Sequence, residues 1–136
     1  MIIAIDPNET FDYVLKRDRK DEHPTVFSLR GLNSAALRHL QDGQATFDNG
    51  GQWKVAYGTQ TYHVLRYGLR GARGMQDSKG NEVLFEAEPK TLNVLGVQVK
   101  DPVSERFLDR LPPWCKMELS EAIQASSVLT EDEEKN

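Results

Sequence analysis

Cys115 is the only cysteine of the 136-residue chain. It stands in "LPPWCKMELSEAI", residues 111–123, directly after Pro113 and Trp114. Pro113 suits the first position of a helix, which puts the thiol at a helix N-terminus, where thiolates are stabilised. A nucleophilic role also needs a base and a group to orient it. His39 and His63 are remote in sequence, and no motif ties them to the thiol. The alternative is a small apolar side chain packed at a corner between helices, and the sequence favours it. The three histidines, His23, His39 and His63, lack a second histidine or a cysteine at ligand spacing, so no metal site is expected. Gly68, Gly71 and Gly74 in "YGLRGARG" do not fit the dinucleotide or P-loop fingerprints, so no cofactor is expected. Arg66, Arg70 and Arg73 interleave with these glycines. They read either as an anion patch or as the basic C-terminal end of a helix, which the helix dipole favours.

These residues must be carried by a small domain. The length suits one core, and 38% hydrophobic with 28% charged residues is a globular composition. The net charge is −4, and residues 131–136, with four acids against one lysine, account for −3 of it. The rest of the chain is close to neutral and offers no field for nucleic acid. A single cysteine points to a reducing compartment. The apolar start "MIIAI" has no basic stretch ahead of it and ends at Asp6-Pro7, so it does not read as a secretory signal. No run reaches the roughly 18 apolar residues that a bilayer span requires. The expected protein is soluble, non-enzymatic and free of membrane contact.

Residues 10–17, "TFDYVLKR", and 25–30, "TVFSLR", read as two strands of an N-terminal hairpin across a charged loop. A short helix capped near Asp6 and running to Tyr13 is the alternative. Asn33 caps a helix over "SAALRHLQD", stopped by Gly43. Asn49-Gly50 predicts a tight turn between "ATF" and "QWKVAY". Tyr62, Leu65 and Leu69 have helical spacing, with Gly71 and Gly74 ending the helix. A turn at 78–81 leads into a strand over 82–86. Residues 90–100 read as either a strand or an exposed arm. Pro102 is expected to open a helix with Val103, Phe107, Leu108 and Leu111 on one face. After Pro112-Pro113, a second helix carries Trp114, Met117, Leu119, Ala122 and Ile123 as its apolar stripe. Thr130 and Glu133 form a candidate capping box for a further start. The sum is an α+β domain over 1–128: an N-terminal β-hairpin, central helices and hairpins, and a helical C-terminus. Residues 129–136 form an acidic tail. Trp53, Tyr57, Tyr62, Tyr67 and Trp114 are expected in the core and at interfaces.

The order of several short motifs carries a resemblance. "YVLKRDR" at 13–19 is followed by "PTVFSLRGL" at 24–32. Then come "LRYGLRG" at 65–71 and "DSKGNEVLF" at 77–85. The end runs "LDRLPP", "ELSEAI" and "LTEDEEKN". This series is similar to the tail assembly chaperones of long-tailed bacteriophages, or to a small virion protein of the same gene region. The resemblance implies no catalytic residues. It implies binding of other morphogenesis proteins, such as tape measure, tail tube or head–tail proteins, in the host cytoplasm or in the virion. A homo-oligomer is an open alternative. "TFDNGGQWKVAYG" and "KTLNVLGVQVK" depart from the family pattern as insertions. They suit a structural component of the head, neck or tail. The expected interface consists of Phe107, Trp114, Met117 and the tail from Leu129.

Overall fold

The computed structural model describes residues 1–4, 6–43, 45–47, 53–55 and 57–135; of 45–47, 53–55, 57 and 128–135 it describes the backbone alone. The expected turn at Asn49-Gly50 lies outside the described residues. So do the side chains of Trp53, Tyr57, Leu129 and the Thr130–Glu133 pair.

The architecture is α+β, with an N-terminal β-hairpin, central helices and hairpins, and a helical C-terminus. Strands β1 (Phe11–Tyr13) and β2 (Val26–Leu29) pair antiparallel, Phe11 opposite Leu29. The charged loop between them carries a short 3-10 turn, Lys16–Asp18. Phe27 and Leu29 alternate inward along β2, as a half-buried strand requires. Helix α1 (Ser34–Asp42) starts where the Asn33 side chain accepts the Ala36 N–H, and its C-cap is Gly43. A hairpin of β3 (Ala45–Phe47) and β4 (Trp53–Val55) follows.

Helix α2 (Tyr57–Gly68) ends earlier than its sequence spacing predicts. The chain passes from Gly68 directly into β5 (Leu69–Arg73), which pairs antiparallel with β2 and completes the order β1-β2-β5. Two contacts with one residue explain the stop. The Arg30 N–H donates to Gly68 O at 2.9 Å, and its Nε donates to Tyr67 O at 3.0 Å. Both carbonyls are orphans of a helix end, and the residue that follows β2 satisfies them. Gly68 itself is required by packing. A Cβ there would lie 2.7 Å from Ile123 Cδ1 and 2.9 Å from Arg30 O.

Strands β6 (Met75–Gln76) and β7 (Glu82–Val83) form a small hairpin, shorter than the expected strand over 82–86. Residues 90–100 are neither a single strand nor a free arm. They fold back as a hairpin of β8 (Thr91–Val94) and β9 (Val97–Lys100). Its turn residues Leu95 and Gly96 both have positive φ, 54° and 75°. Such turns usually carry Asn-Gly or Asp-Gly, so "LG" gave no signal. The Leu95 side chain is buried, and that burial offsets the backbone cost.

Pro102 does not begin the next helix. The Ser104 Oγ accepts the Phe107 N–H at 3.0 Å and caps α3 (Glu105–Leu108), so Pro102 and Val103 stay outside it. Helix α4 (Pro113–Lys135) does start at Pro113, as expected, and runs on without the second start sought in "SSVLTEDEEKN". The Ser127 hydroxyl is engaged on both sides at that point. It donates to Ile123 O within the helix and accepts the Leu32 N–H at 2.7 Å from outside. The core lies between this helix, α2 and the three-stranded sheet. Leu29, Leu65, Leu69, Leu119 and Ile123 are among its fully buried side chains.

Candidate functional site

The first turns of α4 carry two different faces. Cys115, Leu119 and Ile123, spaced four apart, face inward and are buried. Of the expected apolar stripe, Leu119 and Ile123 are buried and Ala122 packs against the core, whereas Trp114 and Met117 fall outside it and Cys115 takes its N-terminal place. Trp114 and Met117 face outward, 38% and 57% exposed. Phe107 is corrected as an interface residue: it is 2% exposed and stacks edge-on against Phe85. Of the four expected interface residues, the structure places Trp114 and Met117 at the surface and Phe107 in the core.

Trp114 and Met117 form a ridge between two clefts. One cleft, of about 530 Å³, lies on the Trp114 side, with Phe27, Met75 and Leu111 in its lining and Arg17 and Arg110 among its polar residues. The other, about 430 Å³, lies on the Met117 side, between Tyr62, Leu65 and Leu108. Glu118 organises the first cleft. Its Oε2 accepts the Tyr13 hydroxyl at 2.8 Å and the Lys16 N–H at 2.9 Å. This ties the 3-10 turn to α4 and brings the next residue, Arg17, over the indole of Trp114. The Arg17 Cζ is 4.0 Å from the ring centroid. Burial, followed by the Glu118 hydrogen bond, pushes the Tyr13 pKa up. The role of Glu118 was not legible in the sequence, because both its partners lie about a hundred residues away.

The two acids in the first cleft are already engaged. The Asp18 Oδ2 accepts the Thr25 N–H at 2.7 Å. The Asp77 Oδ1 accepts the N–H groups of Lys79 and Asn81, and these bonds, that of Asn81 first, hold its carboxyl below the usual range. In the second cleft the Tyr62 hydroxyl donates to Glu105.

Cys115 sits at the base of the ridge, 2% exposed, and burial pushes its thiol up to about 11. The helix N-terminus does not offset that desolvation. His63 is lowered, by burial first, then by His39 and Arg66. His23 is exposed in the charged loop. Among the described residues there is no group of three side chains able to hold a metal ion, and no helix is long and apolar enough to cross a membrane. The three arginines of "YHVLRYGLRGAR" do not form one patch. Arg66 is buried and pairs with Glu88 at 2.8 Å, and Lys90 followed by Arg66 lowers the Glu88 carboxyl to about 2. Arg70 donates to the carbonyls of Lys100 and Asp101, and Arg73 pairs with Asp12. Arg70 and Arg73 stand on β5 rather than on a helix end.

In comparison with known proteins, the chain matches no family model, no curated protein and no solved structure.

Proposed function

We propose that this chain is a non-enzymatic binding protein of tailed-bacteriophage morphogenesis, acting as a tail assembly chaperone on a tape measure or tail tube protein. The observation that supports a binding role is the exposed Trp114–Met117 ridge with a cleft on each side. Large apolar side chains at the surface are enriched where proteins bind one another, and clefts beside them supply pockets for the partner's anchors. The phage context rests on the order of the sequence motifs. The partner's apolar side chains enter the clefts, and Trp114 and Met117 enter the partner.

The second reading, a structural component of the head, neck or tail, is favoured by a different feature. Met1, Ile2 and Ile3 are an exposed apolar run, 114%, 91% and 77% accessible. Such a run suits addition to a neighbour's sheet. Mass spectrometry of purified particles against crude lysate, from the phage or prophage encoding the chain, separates the two. A chaperone is abundant in the lysate and absent from the particle. A structural protein is present at a symmetric copy number. For the chaperone, co-purification of the tape measure or tail tube protein is expected to fail with the Trp114→Ala/Met117→Ala double variant. Undiminished capture by that variant removes the ridge from the interface.

A further inference from the structure

The chain has three methionines and one cysteine, and their sulfur atoms stand in different environments. Cys115 is 2% exposed, and burial keeps its thiol protonated. Oxidants attack the thiolate, so Cys115 is protected. Met75 is partly buried against the core, in the lining of the cleft on the Trp114 side. Met1 is open to solvent but stands on the N-terminal arm. Met117 is 57% exposed, on the ridge and in the lining of the cleft on its own side. A thioether needs no deprotonation before it reacts, so access decides how fast it is oxidised.

We propose that Met117 is an oxidation site whose conversion to the sulfoxide by a peroxide switches off binding at the ridge and leaves the fold intact. A sulfur lone pair attacks one peroxide oxygen. The O–O bond breaks, an S–O bond forms, and the second oxygen leaves as water with the proton of the first. The thioether loses two electrons and the peroxide gains them. As a thioether, Met117 is flexible and apolar and fits varied partner surfaces. As a sulfoxide it is polar and chiral, and a partner's apolar surface would strip water from its oxygen without replacing the hydrogen bonds. The inner stripe of α4, with Cys115, Leu119 and Ile123, is not touched by this change. The inference rests on the ridge being a binding surface, and not on the phage context. Methionine sulfoxide reductases reverse the modification.

The test treats the full chain with dilute hydrogen peroxide and follows it by tryptic peptide mass spectrometry. The three methionines fall in separate tryptic peptides. Met117 should gain one oxygen roughly fivefold or more faster than Met75, with Cys115 still a free thiol. Equal rates at Met117 and Met75 overturn the assignment. The oxidised chain should keep its thermal unfolding midpoint, and a marked drop overturns the claim that the fold is spared. Binding is read with an apolar fluorescent probe, anilinonaphthalene sulfonate, and by capture of tape measure or tail tube protein. Oxidation should weaken both roughly tenfold, and the two sulfoxide reductases with a thiol reductant should restore them. The response of Met117→Leu to peroxide should be nil. A response that persists in that variant assigns the loss to Met1 or Met75 and overturns the proposal. So does undiminished probe binding by the oxidised chain, or no probe binding by the unoxidised one. If the unoxidised chain binds the probe but captures neither phage protein, the chaperone reading falls, and the oxygen mapping with the probe still decides this inference.

Discussion

Trp114 and Cys115 are adjacent in sequence and belong to opposite environments. The tryptophan, the larger hydrophobe, is at the surface with an arginine across its ring, and the cysteine is buried. The same holds one turn on, where Met117 is outside and Leu119 inside. Hydrophobicity alone ranks Trp114 and Met117 as core. The side of α4 that meets Gly68 and Leu65 decides otherwise. Its inner stripe includes Cys115, Ser120 and Ser127, small residues that allow close approach. A helix can thus bury small residues beside its leucine and isoleucine and leave two large hydrophobes free, and those are the side chains available to a partner.

The largest expected contrast is between Leu119→Ala and Met117→Ala. Leu119 is fully buried, so its truncation should cost about 2–5 kcal/mol in urea unfolding. Met117→Ala should change stability by less than about 0.5 kcal/mol. Equal losses would mean that the outer face is packed after all.

Gly68→Ala probes the inner face from the other side. The new Cβ meets the Ile123 side chain and also Arg30 O, and the backbone of Arg30, whose N–H is bonded to Gly68 O directly after β2, has little room to move. A loss of about 1–3 kcal/mol is expected, as for overpacking. Substituting Ile123→Val in the same chain should recover part of it. No recovery would place the conflict at Arg30 O.

Trp114→Ala would cost about 3–5 kcal/mol if the ring were buried. At 38% exposure the expected loss is about 1 kcal/mol, of the order of the Arg17 stack with some packing. Chemical denaturation distinguishes the two. The same variant should lose partner binding, so stability and binding respond in opposite ways on the two faces.

The last contrast appears only at alkaline pH and concerns the thiol. Its folded pKa of about 11 exceeds the 9.0 of an open cysteine. Between these values an unfolded chain ionises its thiol and the folded one does not. Cys115 therefore disfavours folding increasingly as pH rises above 9, and has no such effect below it. Cys115→Ala should lack this alkaline loss, measured as the unfolding midpoint from pH 8 to 11. At pH 8 a disulfide reagent should label the native thiol only at the rate of unfolding. Rapid native labelling would put Cys115 on the outer face with Trp114.

The α+β class, the N-terminal hairpin, the Asn33-capped helix and the Pro113 start of α4 were all legible from residue types alone. Each depends on signals a few residues apart: a capping side chain, a proline with its fixed φ, or alternation along a strand. The departures share a different cause. The end of α2 depends on Arg30, and α4 runs on through Ser127, whose hydroxyl accepts the Leu32 N–H. The β8–β9 turn tolerates Leu95 at positive φ because the core buries its side chain. The cleft depends on Glu118 reaching Tyr13 and Lys16 across the molecule. Sequence by itself determined where elements begin and which residues are apolar, because caps, prolines and periodicity act locally. Only the tertiary structure decided which face of α4 is covered and which partners the arginines find, because those depend on what other elements bring alongside.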